Sequence, residues 1–457
     1  MANCPPTGIA PTGQHPANSV AARLDGLPLS GWHRRMVVLI GLGSFCNLFE
    51  VALGPFLVVL LGAQWSLSTL DRSMVIGALF LGEMIGSLLL APLADRFGRR
   101  ILFQVNLLTY AVLSVATAFA PDLGVFLVLR LLTGIGLGAE LTLVDTYLSE
   151  LLPRARRGRY VAWSYTIGLL AVPVAGVLAT AANTTIAGLA GWRWLLIFAA
   201  CGGLAVWLLR RRLPESPRWL AATGHTAEAD RIVAEIEREV AAAPPAEPAA
   251  PPPAIADPPA PGPPPAGRYR RRAVLMWVMQ IASPVGFYAF ASIAPIVLLA
   301  KGFDLTHSLM YSALTALGYP LGSLVSVYLI ERVERRTLLI ASTLAAAVFG
   351  VAFGLAADIT VVVAAGIATS VSTVMQSNFT HIYQAELFHT TNRSTAIGIP
   401  YAASRLVGAL LPLAALSLLA AIGSGGLYIG CAVLLGASAL AIRLLGPRTN
   451  NRQLDTI

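Results

Sequence analysis

The sequence predicts an all-α membrane protein with about twelve transmembrane helices in two pseudo-symmetric six-helix bundles. Three observations carry that expectation. Of the 457 residues, 56% are hydrophobic and only 12% are charged, about half the charged share of a soluble domain. Such a chain cannot cover itself with polar surface in water. The apolar residues gather into runs near the ~20 residues that a helix needs to cross a hydrocarbon core of about 30 Å. Two separate motifs also recur at one offset along the chain.

Apolar runs between charged or Pro/Gly/Asn punctuation place spans near 36–61, 73–94, 101–120, 124–149, 160–182, 192–209, 272–300, 308–330, 337–356, 359–385, 395–421 and 425–446. Arginines mark alternate loops. Arg34 and Arg35 precede the first span, and Arg96, Arg99 and Arg100 follow the second. Arg154, Arg156, Arg157 and Arg159 follow the fourth, and Arg210, Arg211 and Arg212 follow the sixth. Arg332, Arg335, Arg336, Arg393 and Arg448 fall on the same side, whereas the opposite loops hold little beyond Arg72, Arg193 and Lys301. The positive-inside rule then puts both termini in the cytoplasm of a multi-pass inner (plasma) membrane protein.

The expected organisation is a cytoplasmic tail (1–33), a first bundle (34–212), a cytoplasmic linker (213–270), a second bundle (271–446) and a short cytoplasmic tail (447–457). Within the linker, Thr226 to Val240 alternates apolar and charged residues at helical spacing, which predicts a short surface helix. Ala241 to Gly267 is Pro/Ala-rich and nearly uncharged, which predicts an extended tether between the halves.

The net charge of +9 does not point to nucleic acid, because the arginines stand in short clusters between apolar spans. Cys4, Cys46, Cys201 and Cys431 are far apart and form no disulfide framework or CxxC. The N-terminus lacks the layout of a cleaved signal peptide. Histidines lack metal-ligand spacing, and neither a phosphate-binding loop nor a nucleophile–base constellation is visible. The expectation is a non-enzymatic, cofactor-free and metal-free monomer in the lipid bilayer, driven by an ion gradient or by a solute's own gradient.

GSLLLAPLADRFGRR from Gly86 recurs as GSLVSVYLIERVERR from Gly322, an offset of 236 residues. Tyr147-Leu-Ser-Glu150-Leu matches Tyr383-Gln-Ala-Glu386-Leu, and Arg157 matches Arg393, at the same offset. Two motifs at one spacing indicate internal duplication. A parallel repeat of six spans suits two bundles that rock about a central site.

The loop text Leu93-Ala-Asp95-Arg96-Phe-Gly98-Arg99-Arg100 resembles the signature of the major facilitator superfamily. Arg130-Leu-Leu-Thr-Gly134-Ile-Gly-Leu-Gly138 is similar to that family's arginine-led fourth helix, and Pro214-Glu215-Ser216-Pro217-Arg218-Trp219-Leu220 to the segment after its sixth. The resemblance runs over roughly residues 30 to 446 and is nearest to the metabolite:proton symporters, which include carriers of aromatic acids, nicotinate and organic ions. It implies a secondary active transporter working by alternating access, with a small carboxylate-bearing or polar metabolite and protons as its partners. The texts at Met279-Gln280-Ile-Ala-Ser283-Pro-Val-Gly286 and Gln376-Ser-Asn378-Phe-Thr-His381 depart from the pattern of sugar porters. A proton-antiport exporter, a sugar or polyol porter and a non-transporting membrane sensor stay open as other readings.

The resemblance implies that the loop at Asp95, Arg96, Gly98, Arg99 and Arg100 latches the halves on the cytoplasmic side. Asp95 is expected to take the positive end of a neighbouring helix. Glu331, Arg332, Arg335 and Arg336 form the weaker second copy, and Glu150, Arg157, Glu386 and Arg393, from the other repeated motif, are expected to share in this gating. Charges inside spans carry more information, since each costs several kcal/mol in hydrocarbon without a partner or a cavity. Glu50 stands about 15 residues into the first span, some 22 Å deep at 1.5 Å per residue, and is a candidate proton carrier. Glu140, in the Gly-rich middle of the fourth span, is expected to face the cavity as a proton or cation site. Asp145 lies about 140° further round that helix. Glu83 stands between Gly82 and Gly86, where small residues admit a close neighbour. Arg130 matches the family arginine implied to assist proton transfer. Arg405, near the midplane of the eleventh span, stays cationic and needs an anion, either a protein carboxylate such as Glu50, Glu83 or Glu140, or a substrate carboxylate. Gln280, Tyr288, Asn378, His381, Gln376, Trp163 and Tyr165 complete the expected cavity groups.

Overall fold

The computed structural model describes residues 20–153, 157–242, 266–291, 293–330, 332–387 and 393–447. These are helical throughout apart from loops and one small hairpin, Thr185–Ile186 paired antiparallel with Leu189–Ala190. The reason is the solvent: in lipid every backbone amide and carbonyl must find its partner within the segment. The first three spans are Gly31–Trp65, Thr69–Phe97 and Arg99–Ala118. The sixth is Gly191–Arg210, the ninth Arg335–Leu355 and the tenth Ile359–Leu387. The eleventh and twelfth are the two parts of Arg393–Leu445, which is interrupted by Gly423 at φ 70°.

Four spans are built from two helices each, and their breaks have chemical causes. The fifth runs as Arg157–Leu169 and Ala171–Ala181, the seventh as Ala266–Ala291 and Ala294–Ala300, and the eighth as Leu305–Ala316 and Gly318–Leu329. In each case the first helix ends four residues before a proline: Pro173, Pro295 and Pro320. A proline ring removes the amide that would bond to the carbonyl four residues back and crowds that carbonyl. The fourth span, Leu123–Leu137 and Glu140–Leu151, breaks instead at Gly138, whose backbone lies against the second span. A Cβ on Gly138 would stand 2.4 Å from the Glu83 carbonyl oxygen.

The duplication is physical as well as textual. In the first half Gly86 lets the second span touch the fourth, where a Cβ would come within 2.2 Å of the Ile135 carbonyl. In the second half Gly322 lets the eighth span touch the tenth, with the Val371 carbonyl at 2.5 Å from the same imagined atom. Both members of the contact are displaced by 236 residues. The Tyr147 hydroxyl donates to the Pro214 carbonyl at 2.6 Å, and its repeat Tyr383 donates to the Pro447 carbonyl at 2.7 Å.

The halves meet along two seams, the second span against the eleventh and the fifth against the eighth. Gly77 brings the first seam to backbone contact with Ala409, and Gly176 meets Ala313 on the second. Thr166 and Ser323 share a hydrogen bond of 2.8 Å across it. Toward the bilayer, large apolar side chains such as Val177, Val348 and Val433 stand more than half exposed, a pattern suited to a lipid solvent.

At the arginine-rich end, Thr226–Ala242 forms an amphipathic helix whose Ile232, Val233 and Ile236 share a core with Leu24, Leu29 and Trp32. Arg23, on the short helix Val20–Asp25, grips Glu237 with two hydrogen bonds of 2.9 and 2.7 Å and reaches Asp230 at 3.0 Å. Residues 243–265, most of the expected Pro/Ala-rich tether, lie outside the described residues.

Candidate functional site

A cavity opens between the halves, lined by the first, fifth, seventh and eighth spans. Leu48, Val51, Ala52 and Phe56 face Phe287, Tyr288, Phe290 and Tyr319, with Ser312 and Thr315 among the few polar groups. Phe287 packs against Tyr288 and Tyr319 in ring contacts at 5.1 and 5.4 Å. The surface offered to a solute is therefore aromatic, with hydroxyls at isolated points.

Arg405 stands beside this cavity. Its Nη1 donates to Glu83 Oε2 at 3.0 Å and to the Tyr288 hydroxyl at 2.9 Å. Gly408, one turn on, leaves room for Phe80 and Tyr288 to meet edge-on at 4.6 Å. The ion pair is nearly closed to solvent, with Glu83 from the first half and Arg405 from the second. One Glu83 oxygen has no hydrogen-bond partner among the described residues. Of the two anions that the sequence allowed for Arg405, an internal carboxylate occupies the position here.

A second buried pair lies deeper in the first half. Arg130 hydrogen-bonds the Glu50 carboxylate, and both side chains are essentially inaccessible. Neither residue lines the cavity. At the repeat offset Glu50, Glu83 and Arg130 correspond to Gly286, Tyr319 and Gly366. The buried charge has thus diverged between the halves, and Arg405 aligns with Leu169.

Glu140 does not face the cavity, contrary to the sequence expectation. Arg210 turns back into the first bundle, donates to Glu140 Oε1 at 2.7 Å, and adds bonds to the Leu39 and Ile40 carbonyls at 3.0 and 2.7 Å. Its guanidinium also lies over the Phe103 ring at 4.6 Å. Gly43 is required beside the pair, since a Cβ there would fall 1.9 Å from Arg210 Nη2. A buried guanidinium left without its carboxylate would be costly, so the two charges are held together and away from the solute path. Asp145 instead accepts the Tyr165 hydroxyl at 2.9 Å.

The other expected cavity groups are dispersed. Among Arg405, Gln280, Tyr288, Asn378, His381, Gln376 and Trp163, only Tyr288 lines the cavity. Trp163 is 40% exposed and stands apart from it. Gln280 donates to Gln384 at 2.6 Å, Gln384 meets His381 at 3.2 Å, and Asn378 donates to Ser326 at 2.6 Å. Gln376 is buried against Gly286. Sequence reasoning missed Phe56, Phe287, Ser312 and Tyr319, whose hydroxyl and aromatic types are common in packing; no spacing signal distinguishes them.

The loop after the second span also differs from expectation. Asp95 does not occupy a helix end: its side chain is exposed and pairs with Arg99 at 2.9 Å. Glu215 takes that place, accepting the Arg99 and Arg100 amides at 3.0 and 3.1 Å at the start of the third span. Burial nevertheless pushes the Glu215 carboxyl above its ordinary pKa, although those amides favour its charged form. Gly98 has φ 96°, and a Cβ on it would meet Glu215 Oε2 at 2.4 Å. Arg99 also bonds Glu150 at 3.3 Å, Arg100 bonds the Arg211 carbonyl at 2.8 Å, and Arg96 lies over Phe97. Arg157 and Arg218 share Asp25 at 3.4 and 2.8 Å. These contacts knit the first half to the linker. In the second copy Arg332 lies over the Tyr328 ring, and Arg335 opens the ninth span. Glu331 and the side chains of Glu386 and Arg393 fall outside the described residues.

The family model described as sugar (and other) transporter matches residues 42–457. The niacin transporter NiaP of Acinetobacter baylyi is 25% identical, covering 96% of this chain and 99% of its own. The inner membrane metabolite transport protein YgcS of Escherichia coli is 30% identical over 86% of each chain. A solved structure of the xylose transporter XylE from E. coli shares the fold at a TM-score of 0.74 and 18% identity, covering 93% of this chain and 100% of that one.

Proposed function

Since the chain belongs to the sugar (and other) transporter family, we propose that it carries a small carboxylate-bearing metabolite together with a proton. The Arg405–Glu83 pair at the cavity's edge is the observation that supports this reading. Arg405 stays cationic, and an incoming carboxylate that takes its guanidinium competes with Glu83 for the same Nη1 donor. The displaced Glu83 would then be a lone buried anion unless it picks up a proton. Empty and loaded sites consequently carry the same net charge, and substrate and proton bind with positive linkage. Tyr288, which already holds Arg405, touches the solute as well. Glu50 and Arg130 stay paired behind the site and keep their charges balanced within the first half.

The cavity lining favours a flat apolar body over a sugar. A polyhydroxylated solute would bury many hydroxyls against Leu48, Val51, Phe56 and Phe287, each unpaired group costing about 1–3 kcal/mol. Relatives named as a niacin transporter and as an arabinose-proton symporter are compatible with a small polar solute carried with protons. In this reading the arginine-rich end faces the cytoplasm, because positively charged loops are retained on that side.

Proteoliposome uptake tests the reading. Nicotinate or a related aromatic acid should accumulate when a pH gradient is imposed, and the corresponding amide should not. Arg405→Lys should weaken binding of the acid about tenfold, ~1.4 kcal/mol, by removing the two-point contact, with a smaller loss for the amide. Glu83→Gln should keep exchange but lose gradient-driven accumulation. Equal losses for acid and amide would sink the Arg405 contact, and undiminished accumulation by the Gln variant would remove Glu83 from coupling.

A further inference from the structure

Asp145 and His381 are separated by 236 residues, the offset of the duplication, so they occupy equivalent places on the fourth and tenth spans. The fold links these two positions across the interface through Tyr165. Tyr165 donates its hydroxyl to Asp145 at 2.9 Å on its own half. Its ring stacks on His381 of the other half, with centroids 6.3 Å apart and planes inclined by 25°. On the far side His381 meets Gln384 at 3.2 Å, and Gln384 accepts from Gln280 at 2.6 Å. A polar chain therefore crosses from the fourth span to the seventh, and the ring stack is its crossing point between halves.

Its depth matters. Tyr165 lies eight residues from the start of Arg157–Leu169, and His381 six residues from the end of Ile359–Leu387. At 1.5 Å per residue both are about 10 Å from the arginine-rich end. The cavity begins beyond them, at Leu48 and Val172, and extends toward Ser312 near the opposite end of the eighth span.

We infer that Tyr165 and His381 form the gate that closes the cavity toward the arginine-rich end, and that Asp145 is the positioning residue that aims Tyr165 into it. An offset ring contact suits such a seam, because it fills the gap between the halves yet separates without leaving a buried charge behind. The bonds to Asp145 and Gln384 lie within their own halves, so each half keeps its gate residue oriented when the seam opens. A tyrosine without Asp145 would lose that orientation but not its bulk. The inference rests on alternating access by the two halves and is independent of the substrate contact assigned to Arg405.

The test uses the full chain with its four cysteines replaced by serine and a single reporter, Leu48→Cys, in the cavity wall. The readout is the labelling rate by a membrane-impermeant thiol reagent, measured in membrane vesicles of both orientations. From the arginine-rich face, Tyr165→Ala and His381→Ala should each raise the rate several-fold, and His381→Phe, which keeps a flat ring, should hold it near the parent. Asp145→Ala should raise it by less, Asp145→Asn should restore it, and Asp145→Ala should add nothing to Tyr165→Ala. From the opposite face the rates should not rise. Unchanged labelling in both single alanine variants would overturn the gate, and additivity of Asp145→Ala with Tyr165→Ala would overturn the positioning role. Where alanine variants do not reach the membrane, a Tyr165→Cys/His381→Cys pair bridged by a short thiol crosslinker should block uptake until the bridge is reduced. Full uptake with the bridge intact would equally overturn the proposal.

Discussion

Arg405 and Glu83 come from different halves of the chain and form one ion pair, 3.0 Å long, at the edge of the central cavity. The pair does two things at once. It neutralises a guanidinium that the bilayer would otherwise penalise, and it joins the second and eleventh spans across a seam where Gly77 already brings the backbones into contact.

Breaking this pair from one side should cost more than removing it. Arg405→Met leaves Glu83 buried without its cation, an effect of about 3–5 kcal/mol in comparable sites. The double variant Glu83→Gln/Arg405→Met replaces the charges together and should recover most of that loss. Thermal unfolding of the three detergent-purified proteins checks the order. A double variant no more stable than the single one would show that the pair is not the source of the cost.

Much of the fold was legible because lipid imposes simple rules. Span lengths, arginine placement and the 236-residue offset follow from hydropathy, charge and repeated text, and the glycines at 86 and 322 carry the offset into packing. The site was legible only as a set of charges that required partners. Arg210 stands in a run with Arg211 and Arg212, so sequence reads it as a loop residue, yet it folds back to a carboxylate 70 positions away. Glu215 takes the helix end expected for Asp95 for the same reason. Both are acids within reach of the loop, and only the path of the linker decides between them.

Glu140 and Arg210 should behave as structural partners of the first bundle. Glu140→Gln leaves Arg210 buried with two carbonyl contacts and no counterion, and should lower stability by about 3 kcal/mol. Ligand affinity per folded molecule should change less than threefold, about 0.6 kcal/mol. Binding measurements normalised to folded protein separate the two effects. A tenfold loss of affinity at unchanged stability would return Glu140 to the solute path.

The clamp between Arg23 and Glu237 should depend on pH. Hydrogen bonding from Arg23, aided by its charge, holds the Glu237 carboxyl below its ordinary value of 4.5. A depressed carboxyl contributes stability above the unfolded value, and that contribution is lost as pH falls through the folded one. Both side chains are partly exposed, so solvent screening limits the effect to about 1 kcal/mol or less. The protection of Thr226–Ala242 against hydrogen exchange, taken relative to the intrinsic rate at each pH, should therefore hold from neutral pH down to about 4.5 and fall below it, and Glu237→Gln should flatten that dependence. An equally steep response in the Gln variant would assign it to another group.

The repeat makes a paired prediction for Gly86 and Gly322. At both positions the atom that blocks a side chain is a backbone carbonyl, of Ile135 in one half and Val371 in the other. No rotamer change can move a carbonyl that is bonded within its own helix, so the two spans must separate to admit even a methyl group. Separation would also pull away Gly82 and Gly318, which make the same kind of contact one turn earlier with the Leu131 and Ile367 carbonyls. Each alanine variant should consequently lose several kcal/mol, as overpacked sites with displaced backbone do. By contrast, Gly430→Ala and Gly436→Ala, where nothing stands within 4 Å, should fold normally. Yields of monodisperse protein and midpoints of thermal unfolding for the four variants decide the matter. The first two should fall together and the last two should match the parent. A large loss at Gly86 with none at Gly322 would show that the close packing retained from the duplication bears load in only one half.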